Sequence, residues 1–213
     1  MRIRKLGHAC VLVETGDARL LVDPGTLTPG LDEVDGLTAV LVTHAHPDHL
    51  DLERLPGLLR RSPGAVVVAD PGSAATLAEH GVEARPLADG ETVDLGVEVR
   101  GVGTDHAVIH PDLPVIPNTG YLLDGRLLHP GDALTVPVGT DVELLCLPLA
   151  APWSKAAEVV DYLRAVRPTV AVPVHDAVLA TPGVWHGLLD RLGPAGTGLE
   201  HLDDGRVLTV PGD

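Results

Sequence analysis

The chain has 213 residues, 45% of them hydrophobic, which is enough apolar material for one large domain with a substantial core and too much for a disordered chain. Its formal charge of −15 argues against a partner held by neutralising nucleic-acid phosphates and disfavours adsorption to anionic lipid. Cys10 and Cys146, the 2 cysteines, lie inside apolar runs and read as buried thiols of a reduced, cytoplasmic protein, not as a disulfide framework.

The opening stretch MRIRKLGHACVLVE holds no sustained hydrophobic segment, and no later window is apolar enough to span a bilayer. ACVLVE and ARLLVD flank a TGD turn, the pattern of a hairpin. After a loop from Pro24 to Gly36 comes TAVLVT, a strand apolar on both faces and so expected to be covered on both sides. LDLERLPGLLRR has a helical pattern that Pro56 is expected to kink or end. AVVVAD reads as another buried strand, and PGSAATLAEHG opens on proline and closes on glycine as a short helix does.

From Glu83 to about Val108, short strands alternate with ADGE and DLG turns. The proline-rich HPDLPVIPN that follows His106 is a loop and a candidate wall of a site. TGYLLDGRLLHPGD is a second hairpin with an Asp-Gly turn. The segment from Ser154 to Val166 sets Ala156, Val159, Val160, Leu163 and Val166 on one helical face. TVAVPVH returns to strand, GVWHGLLDRLG to helix, and LEHLDDGRVLTV is expected to close the chain as a hairpin. The halves echo each other: DARLLVDPGTL resembles DGRLLHPGDAL, and TAVLVTH resembles TVAVPVH. Two mixed sheets packed face to face would bring both His-terminated strands to one edge.

One stretch demands chemistry. AVLVTHAHPDHL runs from a buried strand into three histidines and an aspartate within six residues, and each such group needs a partner once it leaves water. Residues two apart in an extended chain point the same way, so His44 and His46 can ligate one ion together. Pro47 interrupts the strand, and Asp48 and His49 then lie on a turned segment facing a second ion beside the first. Imidazole with carboxylate suits zinc, iron or manganese.

THAHPDH resembles the T-H-x-H-x-D-H signature of the metallo-β-lactamase superfamily. The superfamily's other motifs have counterparts in order along the chain: Asp23 in LLVDPG, His106 in GVGTDHAV, Asp132 in HPGDAL and His175 in AVPVHD. The resemblance implies a single domain over 1–213 with a four-layer αβ/βα sandwich, two mixed β-sheets inside and helices on the outer faces. It implies that His44, His46 and His106 hold one divalent metal and that Asp48, His49 and His175 hold another, with Asp132 bridging. Zinc is the first candidate, with manganese or iron as alternatives. Asp23 would orient a ligand from behind, while His8 and His110 are pocket candidates. LGHACVLVE and NTGYLL look most like the ascorbate-phosphate-lactonase-like branch.

The expected activity is that of a cytoplasmic dinuclear hydrolase. A metal-bridging hydroxide would cleave an ester-like bond, a lactone or phosphoester, in a small anionic substrate, with Asp48 orienting the nucleophile. Alternatives are a phosphodiesterase acting on a small nucleotide or phospholipid-derived substrate, and a non-catalytic member that binds a ligand through its metals. The flavodiiron oxidoreductases carry glutamate where this chain has His46, which disfavours redox chemistry. No nucleic-acid or membrane partner is expected, and nothing in the sequence fixes the oligomeric state.

Overall fold

The computed structural model describes residues 1–202 and 205–210. Among these residues, strands β1 (Arg2–Gly7), β2 (Cys10–Thr15), β3 (Ala18–Val22), β4 (Ala39–Val42), β5 (Val66–Ala69) and β6 (Arg85–Pro86) form one sheet. β7 (Thr92–Asp94), β8 (Glu98–Val102), β9 (Gly120–Leu123), β10 (Leu127–His129), β11 (Leu144–Pro148), β12 (Val170–Val174) and β13 (Gly198–Leu199) form the other. The last strand, β14 (Leu208–Thr209), returns to the first sheet beside β1. Helices α1 (Leu55–Arg61) and α2 (Pro71–Glu79) belong to the first half, α3 (Ala156–Val166) and α4 (Gly183–Leu192) to the second.

The two-residue period of the strands sorts side chains into layers. In β4, Ala39 and Leu41 face the core between the sheets, whereas Val40 and Val42 pack outward with Leu55 and Leu58 of α1 and Leu77 of α2. In β11, Leu144 and Cys146 point inward, and Leu145 and Leu147 pack against Val159, Val160 and Leu163 of α3. Helices therefore cover both outer faces, and the four-layer sandwich expected from the sequence is the observed one. Both cysteines are buried and free. Among the described residues no helix is long and apolar enough to cross a membrane.

Pairing runs in the same order in both sheets. From the β14 edge there are three antiparallel contacts and then three parallel ones; from the β7 edge the same sequence recurs. This equates β3 with β10, as the DARLLVD and DGRLLHP echo implies. The likeness of TAVLVTH to TVAVPVH, however, aligns β4 with β12, one strand away from its positional counterpart β11. A parallel strand buried on both faces is a Val, Leu and Ala run wherever it sits, so that likeness reports burial and not position.

Two local expectations are corrected. Pro56 lies in the first turn of α1 and does not end it, because a missing N–H costs nothing where the helix has no acceptor for it. LEHLDDGRVLTV is not a hairpin: Leu199 pairs with Ala171 of β12, and Leu208 pairs with Ile3 of β1 in the opposite sheet. Residues 203 and 204 of this stretch lie outside the described residues. The second hairpin does form, with Asp124 and Gly125 at φ 55 and 63, the two left-handed positions that a tight β-turn of this hand requires.

Candidate metal centre

Strands β3, β4 and β5 are mutually parallel, as are β10, β11 and β12, so the C-terminal ends of each set open on one edge. Among the bonds that tie the sheets together there, Thr119 N–H donates to the Thr43 carbonyl at 2.9 Å, and the Tyr121 hydroxyl donates to the Val42 carbonyl at 2.6 Å. Into this edge the chain delivers Asp23 after β3, His44 after β4, Asp132 after β10 and His175 after β12. His8, from the turn joining β1 and β2, and His106, beyond β8, complete the ring.

The loop carrying His44, His46, Asp48 and His49 closes on itself, with the amides of His49 and Leu50 both donating to the His46 carbonyl at 2.9 Å. Gly25 passes directly beneath it, and a Cβ there would lie 1.8 Å from the Asp48 carbonyl oxygen. Gly131 has φ 63, and a Cβ on it would fall 2.3 Å from Asn118 Oδ1. The Gly-Asp step before the second aspartate is thus a steric requirement. Asp23, His8 and His175 hold φ of 50, 50 and 57, left-handed values that side chains adopt at a cost, and all three sit at this edge.

Hydrogen bonds fix which nitrogen of each imidazole faces inward. His106 Nδ1 donates to the Ala107 carbonyl at 2.6 Å, and His175 Nδ1 to the Ala150 carbonyl at 2.8 Å; a carbonyl only accepts, so these nitrogens carry the proton. His49 Nδ1 donates to Asp23 Oδ2 at 2.7 Å. The Thr43 hydroxyl also donates to Asp23 Oδ2, at 2.7 Å, which leaves its oxygen to accept from His44 Nδ1 at 3.1 Å. Each ring, when neutral, therefore presents a bare Nε2 to the interior. His46 enters by its other nitrogen, Nδ1, 3.1 Å from His44 Nε2.

The donors fall into two groups: His44, His46, His106 and Asp132 in one, and His8, Asp48, His49 and His175 in the other, with the donor atoms of each within 4.8 Å of one another. Asp132 stands between them. Its Oδ2 is 3.4 Å from His106 Nε2 and 3.2 Å from His175 Nε2, while Oδ1 is 3.1 Å from His49 Nε2. Despite this crowding, His49 Nε2, His106 Nε2, His175 Nε2 and Asp132 Oδ1 are buried atoms without a hydrogen-bond partner. Convergent, misaligned donors of this kind are costly unless something occupies the space between them, and imidazole with carboxylate is the donor set of a divalent transition ion.

The protein's own electrostatics reinforce this. Burial holds His44 well below the usual imidazole range and lowers His46 and His8 as well. Burial also opposes charge on His49, but Asp132 and Asp23 overcome it and hold that ring protonated well above its ordinary value. For His175 the neighbouring carboxylates of Asp132 and Asp48, at 3.2 and 3.4 Å from Nε2, outweigh burial and raise it to about 9. In turn, against burial, His175 and His8 depress Asp48, and His49, His106 and His175 depress Asp132. Both carboxylates are ionised throughout the physiological range.

All seven proposed donors and Asp23 thus meet at one edge. Asp23 touches His49 and Thr43 from behind, accepting the Thr43 N–H at 2.8 Å on its other oxygen. His8 is part of the cluster: its Nδ1 accepts from the Ala177 amide at 3.3 Å, so Nε2 donates to Asp48 Oδ2 at 3.1 Å. His110 is not brought in; it is exposed on the proline-rich loop and bonded to the Asp112 amide. Of the aspartates next to proposed donors in sequence, Asp176, after His175, is buried against Lys5, and Asp105, before His106, is exposed and bonded to Thr104. His129 is buried and donates to the Ala9 carbonyl. Asn118 accepts the Asp132 amide at 3.0 Å.

Trp153 escaped the sequence reading. Its indole Nε1 donates to Asp132 Oδ2 at 2.8 Å from the segment after β11. The available signal was positional: that segment leaves β11, the counterpart of β4, at the same edge, and carries one of only 2 tryptophans.

A two-sheet sandwich with this His/Asp cluster at the strand ends is the architecture of the metallo-β-lactamase superfamily. The chain belongs to that superfamily: a family model described as a β-lactamase superfamily domain matches residues 2–175, from the first strand through the last proposed donor. Rv0786c, a protein of Mycobacterium tuberculosis, is 48% identical over 204 residues, covering 90% of this chain and 92% of that protein. A UPF0173 metal-dependent hydrolase of Aeropyrum pernix is 28% identical over 206 residues, covering 82% and 81%. Among solved structures, the metallo-β-lactamase fold protein YhfI of Bacillus subtilis matches with a TM-score of 0.76 at 14% identity, covering 97% and 98%.

Proposed function

We propose that the chain is a metal-dependent hydrolase acting on an ester-like bond, a lactone or carboxylic ester ahead of a phosphoester, and that it works with two divalent ions. His44, His46 and His106 would hold one ion, Asp48, His49 and His175 the other, with Asp132 common to both. Such a pair supplies Lewis acidity, polarising the electrophilic oxygen and lowering the pKa of water. The single observation that carries this reading is the set of four buried, unpartnered atoms on His49, His106, His175 and Asp132 that converge on one space.

The chain's own residues do the rest. Asp48 keeps its side chain 29% exposed, the most open of the carboxylates here, and so faces an incoming substrate. His8 and His175 hold it ionised, which makes it a weak base and suits it to orienting a nucleophile rather than taking its proton. The segments that leave the donor edge, 24–30, 107–117, 149–154 and 176–182, contain neither Lys nor Arg. A nucleotide or sugar phosphate would meet no cationic side chain on them, which favours a neutral ester or lactone over the anionic substrate and the phosphodiesterase alternative. The metal dependence in the name of the Aeropyrum relative accords with the first part of this reading.

The test is elemental analysis of protein purified without chelator, followed by assay against a lactone and ester panel alongside bis-p-nitrophenyl phosphate. About two transition-metal equivalents and faster turnover of the carboxylic substrates are expected. A metal-free protein that binds no added zinc, manganese or iron defeats the proposal.

A further inference from the structure

Asp132 Oδ2 is the atom that both donor groups face, lying 3.4 Å from His106 Nε2 on one side and 3.2 Å from His175 Nε2 on the other. A carboxylate can rotate and exchange its two oxygens, and the imidazole contacts on Asp132 are shared between both of them. The third contact on this oxygen is directional: the Trp153 indole N–H at 2.8 Å. The ring lies edge-on across the seam, its centroid 6.1 Å from that of His106 and 6.5 Å from that of His175, with interplanar angles of 79° and 65°.

Trp153 is itself held firmly. The 151–154 turn is closed by Ser154 N–H to the Ala151 carbonyl at 3.1 Å and by Ala151 N–H to Ser154 Oγ at 3.0 Å. One residue earlier, the Ala150 carbonyl takes the Nδ1 proton of His175. The Leu149 amide donates to the Val174 carbonyl, binding the segment to the end of β12. A single short segment thus sets the orientation of both His175 and Asp132.

We propose that Trp153 is a positioning residue whose indole N–H keeps Asp132 Oδ2 in the seam between the two donor groups, where the carboxylate can serve both. The proposal rests on the metal reading above. An aspartate free to rotate would serve one group at the expense of the other. Removing the N–H while keeping an aromatic ring should therefore weaken one ion selectively, by the ten- to hundredfold typical of lost outer hydrogen bonds to metal ligands, roughly.

The experiment is a zinc titration of chelator-stripped protein against a chromogenic competitor, with bound stoichiometry read by native mass spectrometry. Wild type, Trp153→Phe and the control Trp185→Phe are compared, and melting temperatures are taken without metal. The expected result is two ions in wild type and Trp185→Phe, and in Trp153→Phe one ion at wild-type affinity and one weakened at least tenfold, roughly, with an unchanged metal-free melting temperature. In Trp185→Phe, where Trp153 is the remaining tryptophan, emission should change with the weaker ion's binding step. Two ions at wild-type affinity in Trp153→Phe overturn the proposal while leaving the metal reading intact. Equal weakening of both, with a lowered metal-free melting temperature, overturns it in favour of a merely structural ring. No zinc bound to wild type overturns both readings.

Discussion

Asp23 and His49 are joined by a 2.7 Å bond in the fully buried floor of the site, and the same carboxylate also binds the Thr43 hydroxyl and Thr43 N–H. One side chain therefore orients His49 directly and His44 through Thr43. Asp23→Ala would strand several buried donors at once, which corresponds to about 3 kcal/mol of lost stability. Asp23→Asn keeps the volume and one acceptor. It should spare most of that stability yet weaken metal binding by roughly tenfold or more, because its single acceptor oxygen cannot replace both carboxylate oxygens and its NH2 must face a donor, either the Thr43 N–H or the His49 and Thr43 hydroxyl pair. Denaturant titration and metal competition on the two variants separate the effects; equal metal affinity in Asp23→Asn and wild type would count against the role assigned to Asp23.

His8 is a brace between the first hairpin and the second donor group. Its backbone carbonyl accepts the His175 amide at 2.9 Å while its ring donates to Asp48. His8→Asn tolerates the left-handed backbone but is too short to reach Asp48. Metal affinity at the group containing Asp48 should fall by about tenfold, with little change at the group containing His44. If the two fall together, His8 supports the fold and not the carboxylate.

Gly25 and Gly187 make opposite predictions for the same substitution. A methyl on Gly25 meets the backbone of Asp48 at 1.8 Å, and backbone cannot swing aside as a side chain can. Gly25→Ala should cost about 3 kcal/mol and displace the 46–49 turn, with metal binding lost alongside stability. Gly187 lies within α4 with nothing inside 4 Å of its Cβ position, so Gly187→Ala should stabilise by about 0.5–1 kcal/mol. Both changes are read by chemical denaturation.

The sequence carried much of the fold and most of the site because both depend on short-range signals. Alternation and turn chemistry gave both internal hairpins, and the THAHPDH cluster names four donors in one stretch. What it hid has physical reasons too. The terminal segment has the apolar pattern of a hairpin, yet its halves pair with β12 and β1 in different sheets, and pairing partners of high sequence separation leave no local trace. Trp153 sits in an ordinary proline-containing loop, and its bond to Asp132 spans 21 residues. His110 stands close to His106 in sequence, but loop direction and not distance along the chain decides contact, and it ends exposed beside Asp112.

Stability and metal binding should respond to pH in opposite directions. In the metal-free protein His175 titrates at about 9 and His49 well above its ordinary 6.5, so both are imidazolium at neutral pH, paired with ionised Asp48 and Asp132. A histidine whose pKa is raised on folding contributes stability that is fully present below its unfolded value and is lost as pH rises through the folded one. The stripped protein should therefore melt at a progressively lower temperature between about pH 6.5 and pH 9. A metal ligand must be the neutral ring, so loading expels these protons and the apparent affinity should climb over the same interval, by up to roughly a hundredfold per unit if both leave together. Calorimetric zinc titration at pH 7.5 in two buffers of different ionisation enthalpy counts the protons directly. About two per loaded chain are expected, and a titration indifferent to the buffer would mean that His49 and His175 are already neutral and that the ion pairs with Asp48 and Asp132 do not define the metal-free site.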